Sequence, residues 1–205
     1  MRPPLDRLHA ITDELVAGRA DLEARASALA AGAGNRLALH ARGPALTGRE
    51  VYTLAARLAG ACPRARVFVN DRVDVALAIG AHGVQLRRSS LSPAEARSLG
   101  PDWWIGRSVH QAEEARAAQA AGADYLVVGP VFSTATHPDQ SPLDSRTLEQ
   151  ITGLGLPVIA IGGITVERIA ALRAVGVYGV AAIRALWDAP DSAQAARDML
   201  RELER

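Results

Sequence analysis

Cysteine, aromatic residues and net charge are all scarce in this chain. Cys62 is the one cysteine, which excludes an intrachain disulfide and would oblige a zinc site to find other ligands. Aromatic residues make up 4% of 205 residues, too few for a platform on which nucleic-acid bases stack. The 23 Lys and Arg residues balance 22 Asp and Glu to a formal charge of +1, which argues against a nucleic-acid surface or a polybasic membrane patch. No apolar run approaches ~20 residues, and Met1–Leu5 lacks the apolar stretch of a signal peptide. The expectation is a soluble, cytoplasmic protein with neither nucleic acid nor membrane as partner. His-Glu-x-x-His, a Walker loop, a Gly-x-Ser-x-Gly elbow and a cysteine pair are also missing, which removes the commonest metallopeptidase, nucleotidase and serine-hydrolase signatures.

What is present is alternation. Hydrophobic residues form 49% of the chain, enough for a sizeable core. The expected strands are Leu8–Thr12, Arg36–Arg42, Arg66–Asn70, Gly83–Leu86, Trp103–Val109, Tyr125–Val131, Pro157–Ile161 and Gly179–Ile183. Helical patterns lie between them: Ala20–Ala31, Gly48–Ala61, Arg72–Ile79, Pro93–Ser98, Gln111–Ala121, Ser145–Thr152, Val166–Val175 and Ser192–Arg205. Thr47, Ser92 and Thr165 carry helix-start signals, and Gly80, Gly122 and Gly176 sit where left-handed caps would stop helices. Eight strand-helix units in succession imply a parallel sheet. An open doubly wound sheet normally carries its glycine fingerprint after the first strand, whereas this chain carries glycines after the seventh. The expected fold is therefore α/β, a single (β/α)8 TIM barrel over residues 1–205.

Barrel chemistry sits where strands end and βα loops begin. Gly162 and Gly163, after strand seven, allow close approach to a ligand and open a helix whose free N–H groups suit an anion; a plain tight turn is the alternative. Ile183 and Arg184, after strand eight, supply the other half of the phosphate site usual in this fold, unless Arg184 is only a solvated surface residue. Asn70 and Asp71 end strand three, where the carboxylate would bind magnesium, hold a substrate amine or cap the next helix. Period-2 alternation puts Ala38, His40 and Arg42 on the barrel-interior face of strand two, with Leu37, Leu39 and Ala41 toward the helices. His40 there is either functional or a hydrogen-bonded structural histidine. Ser108 and His110 share the mouth of strand five, where His110 suits proton transfer or anchors a loop. Thr134, Thr136 and His137 lie in the long Ser/Thr/Pro-rich loop 132–143, placed to cover a ligand's polar end.

Three segments carry a resemblance over nearly the full length. Asn70-Asp-Arg-Val-Asp-Val-Ala-Leu77, Gly129-Pro-Val-Phe-Ser-Thr134 and Val158-Ile-Ala-Ile-Gly-Gly-Ile164 resemble motifs of the thiamine phosphate synthase/TenI superfamily. Leu8-His-Ala-Ile-Thr-Asp13, Val84-Gln-Leu86 with Leu91-Ser-Pro93, and Gly106-Arg-Ser-Val-His110 resemble its TenI branch. That branch implies a cofactor-free isomerase, a thiazole tautomerase that aromatises a carboxythiazole phosphate by proton transfer. The synthase branch instead implies joining hydroxymethylpyrimidine diphosphate to thiazole phosphate with Mg²⁺. Synthases resemble Gln-Leu-Arg-Glu-Lys on strand two, where this chain has Ala38-Leu-His-Ala-Arg42. They carry a magnesium-binding aspartate after strand four, where this chain has Arg88-Ser-Ser90. The tautomerase histidine of the family falls at Pro130, which cannot exchange a proton, so His40 and His110 become the acid/base candidates. The resulting expectation is a thiazole tautomerase with no metal ligands; a synthase, or a non-catalytic thiazole phosphate binder, is the alternative. Thiazole phosphate is the expected small-molecule partner, and a homo-oligomer is left open.

Overall fold

A computed structural model describes residues 3–34, 36–134 and 141–205. Its parallel strands are β1 (Leu8–Ile11), β2 (Leu37–Ala41), β3 (Arg66–Asn70), β4 (Gly83–Leu86), β5 (Trp104–Val109), β6 (Tyr125–Val128), β7 (Val158–Ile161) and β8 (Gly179–Ala182). They close in sequence order, with β8 pairing back onto β1. Around them run α1 (Glu14–Ala17), α2 (Leu22–Ala33), α3 (Gly48–Ala61), α4 (Val73–Ile79), α5 (Pro93–Leu99), α6 (Ala112–Ala120), α7 (Ser145–Thr152), α8 (Val166–Ala174), α9 (Arg184–Trp187) and α10 (Ser192–Glu204). This is the (β/α)8 barrel expected from the alternation.

Parallel strands covered by helices outside and filled inside are buried on both faces, which is why they read as nearly continuous apolar runs. All five residues of β2 are buried. Leu37, Leu39 and Ala41 pack into the layer between sheet and helices, whereas Ala38 joins Phe68, Tyr125 and Ile159 inside the barrel. The interior is unusual in holding two histidines. His40 stacks on Phe68 with ring centroids 5.0 Å apart and planes inclined by 14°, and His9 lies 5.8 Å from the Tyr125 ring.

Local signals set the helix ends. Thr47 with Glu50, and Ser92 with Glu95, form reciprocal capping boxes at the starts of α3 and α5, each contributing ~1 kcal/mol. Gly80 closes α4 in the left-handed conformation with φ 63°. Several boundaries differ from expectation by one or two residues, and two larger departures have physical reasons. β6 stops at Val128 rather than continuing to residue 131, because Pro130 has no N–H to give the ladder. The single turns α1 and α9 were not expected, since four residues show no helical periodicity.

The parallel arrangement sends every strand's C-terminus to one rim. Asp13, Arg42, Asp71, Arg87, His110, Pro130, Gly162 and Ile183, drawn from eight different strand ends, therefore face one mouth.

Candidate active site

The mouth holds a cleft with two lobes of about 330 and 470 Å³ that share Arg42, Asn70, Ser108, His110, Thr134 and Gly162 in their walls. The smaller lobe continues toward Asp71 and Arg87. The larger continues toward Gly163, Thr165, Ile183 and Arg184.

In the larger lobe, Gly162 and Gly163 have φ of 101° and 61°. A Cβ on Gly162 would lie 2.7 Å from the Cα of Pro130, and one on Gly163 would lie 2.6 Å from the Ser133 carbonyl. The turn is thus tight against the β6 loop as well as left-handed, and both demands select glycine. Thr165 stands at the N-cap of α8 but gives no side-chain bond to the helix's own N–H groups. Thr165 itself lines the lobe, so the start of α8, where a helix's free N–H groups suit a phosphate, borders it. The Arg184 guanidinium donates to the Asp13 carboxylate at 2.9 Å, so it is held by a neighbour rather than solvated alone.

The smaller lobe is built around Asp71, the one non-glycine with positive φ (62°) among the described residues. Its carboxylate does not cap α4, whose N-cap is Arg72 and whose first turn has no side-chain cap. Instead it bridges to the loop after β4: Oδ1 accepts the Arg87 N–H at 2.9 Å and the Ser90 hydroxyl, and Oδ2 pairs with the Arg87 guanidinium at 3.0 Å. Arg42, across the lobe, is half-buried. Burial pulls its basicity down, against the support of the Glu14, Asp13 and Asp71 carboxylates.

His110 and His40 part company. His110 lines both lobes, and its Nδ1–H donates to the Gly129 carbonyl at 2.6 Å, which anchors the ring. His40 is fully buried and lines neither lobe. Its Nε2 meets His9 Nδ1 at 2.8 Å and its Nδ1 meets the Asn70 side chain at 3.1 Å. Burial lowers its pKa from 6.5 to about 4. His40 therefore reaches the cleft only through Asn70. Ser108 accepts a hydrogen bond from Gln85 at 2.9 Å, and Thr134 lines both lobes. Thr136 and His137 lie outside the described residues.

Sequence reasoning gave no role to Arg87, Gln85 or His9. Arg87 is the first residue past β4, the position that selected the other candidates, and Gln85 and His9 are inward polar residues of the kind that marked His40.

No cluster of three or more His, Cys, Asp or Glu side chains able to hold a metal occurs among the described residues. Magnesium, however, commonly keeps its waters and binds through one or two carboxylates plus substrate phosphates. Asp71, with the Ser90 hydroxyl beside it, fits a magnesium ion that arrives on a diphosphate; the pair does not make an all-protein cage.

The comparisons with known proteins point the same way. The bifunctional thiamine biosynthesis protein ThiM/ThiE of Symbiobacterium thermophilum is 47% identical over 156 residues, covering 74% of this chain but 32% of that longer relative. The thiamine-phosphate synthase of Methanospirillum hungatei is 38% identical over 196 residues, covering 93% of this chain and 94% of its own. The solved thiamine phosphate pyrophosphorylase of Pyrococcus furiosus superposes with a TM-score of 0.82 at 31% identity, over 97% of this chain and 95% of that one. These relatives overturn the tautomerase expectation and favour the synthase alternative. Pro130 agrees with that correction, since it stands where the tautomerase resemblance required a proton-transferring histidine. The TMP-TENI model, described as thiamine monophosphate synthase, matches residues 8–186, and with the relatives it establishes that the chain belongs to the thiamine monophosphate synthase family.

Proposed function

We propose that the protein is a thiamine phosphate synthase, a transferase that joins hydroxymethylpyrimidine diphosphate to thiazole phosphate. The observation that carries this reading is the two-lobed cleft, with a glycine cradle in one lobe and a carboxylate set among arginines in the other. A tautomerase needs room for one phosphorylated ring; a synthase must seat two ligands side by side.

Thiazole phosphate would place its phosphate on Gly162, Gly163 and the first turn of α8, with Ile183 and Arg184 completing the lobe. The diphosphate would lie in the other lobe, where Arg42 and Arg87 oppose its charge. Asp71 would hold the magnesium ion, which when bound neutralises charge on the departing diphosphate. Reaction forms a bond from the thiazole nitrogen to the pyrimidine's methylene carbon and breaks that carbon's bond to the diphosphate oxygen. Pyrophosphate leaves with the bonding electron pair, and no proton is transferred in that step, so the chemistry demands positioning and charge stabilisation more than a general base. Ser108, Asn70, Thr134 and His110 would orient the rings where the lobes meet.

The test is a split of Michaelis constants. Gly162→Ala is expected to raise KM for thiazole phosphate at least about tenfold with little change for the diphosphate, and Arg87→Ala the reverse. Both constants rising together in both variants would refute the assignment of the lobes.

A further inference from the structure

His9, His40 and Asn70 form a buried chain of hydrogen bonds that starts at a backbone carbonyl and ends in the cleft. His9 Nε2 lies 3.0 Å from the Asp6 carbonyl, His9 Nδ1 lies 2.8 Å from His40 Nε2, and His40 Nδ1 lies 3.1 Å from the Asn70 amide. Both rings are fully buried.

The direction of each bond follows from the first. A carbonyl oxygen only accepts, so His9 carries its proton on Nε2. A neutral His9 then has a bare Nδ1, which must accept from His40 Nε2–H. A neutral His40 in turn has a bare Nδ1, which must accept. With Asn70 turned so that Oδ1 faces His40, three hydrogen bonds would have only two ring protons to share. One pair of nitrogens would then meet lone pair to lone pair, or one ring would have to be a buried cation. The surroundings oppose the cation: burial and the other ring depress His9 far below 6.5, Arg66 adds to this, and burial and Arg42 depress His40. A half-turn of the Asn70 amide about its terminal torsion resolves the count, because oxygen and nitrogen exchange places with no other movement.

We propose that His9 and His40 are positioning residues that lock Asn70 with its NH₂ toward His40 and its oxygen toward the cleft. Asn70 lines both lobes, so the relay presents a fixed hydrogen-bond acceptor where they meet. An acceptor there takes an N–H or O–H donor of a bound ring and turns away phosphate oxygens, which helps keep the phosphates in the outer lobes. The direction of the relay is independent of the synthase reading; only the identity of the ring rests on it.

The test needs no substrate. In a long-range proton–nitrogen NMR spectrum of histidine-labelled protein at neutral pH, His9 and His40 are both expected as neutral rings protonated on Nε2. A proton on His40 Nδ1, in a neutral ring or a cation, would overturn the proposal. Asn70→Asp supplies the second arm, since an ionised carboxylate cannot donate: His40 is then expected to gain a proton on Nδ1. An unchanged His40 spectrum in that variant would show that Asn70 never donated to it.

Discussion

Asp71 and Arg87 hold each other twice: the carboxylate takes the Arg87 N–H at 2.9 Å and pairs with its guanidinium at 3.0 Å. One contact uses backbone and the other side chain, so the loop after β4 is fastened to the end of β3 whatever the guanidinium does. A cation that took the carboxylate would release the guanidinium toward an anion, while the backbone contact kept the loop in place.

This arrangement leads to the first prediction. Asp71→Asn should lower kcat/KM by more than about tenfold and raise the magnesium concentration for half-maximal rate, because it removes the carboxylate charge. Ser90→Asp places a second carboxylate beside the first, and should lower that magnesium concentration by about threefold or more. Initial rates against magnesium in the two variants check both directions.

The glycine cradle gives the second. Gly162→Ala forces a side chain into φ 101° and against Pro130 at 2.7 Å. The strain is of order 1–3 kcal/mol, so thermal melting should show a lower Tm alongside the weakened thiazole phosphate binding. An unchanged Tm would mean that the β6 loop yields to the added carbon.

The buried titratable groups give the third. Unfolding exposes His9 and His40 to solvent, where their ordinary pKa is 6.5, whereas folded His40 stays neutral down to about 4. Between these limits the unfolded chain binds more protons, so stability falls as pH is lowered through 6.5, by up to about 1.4 kcal/mol per pH unit for each histidine. Asp6 acts oppositely: burial raises its pKa from 3.8 to about 6 despite Arg66, so below 6 the native state holds the extra proton. One aspartate offsets one histidine, and net loss remains. Urea midpoints should fall between pH 7 and 4.5, and more steeply in Asp6→Asn.

The fold and the left-handed turn at Gly162 and Gly163 were legible because they rest on periodicity and punctuation. Leu37, Leu39 and Ala41 face the helices and Ala38 the barrel interior, as alternation requires. Capping at Thr47 and Ser92 and the turn at Gly162 follow from local chemistry. The Asp71–Arg87 pair was hidden because it joins residues 16 apart through a left-handed aspartate, which no local pattern encodes. His40 has the alternation expected of an inward residue, yet inward did not mean accessible: it stops beneath Asn70. The tautomerase expectation followed short TenI-like segments, whereas the relatives matched across most of the chain are synthases and Pro130 is in keeping with them.

The central claim is tested most directly by supplying the wild-type protein with hydroxymethylpyrimidine diphosphate, thiazole phosphate and Mg²⁺, and quantifying both products. Thiamine phosphate and pyrophosphate should appear in equal amounts, each requiring both substrates and the metal. Folded protein that binds thiazole phosphate yet forms no thiamine phosphate would contradict the account.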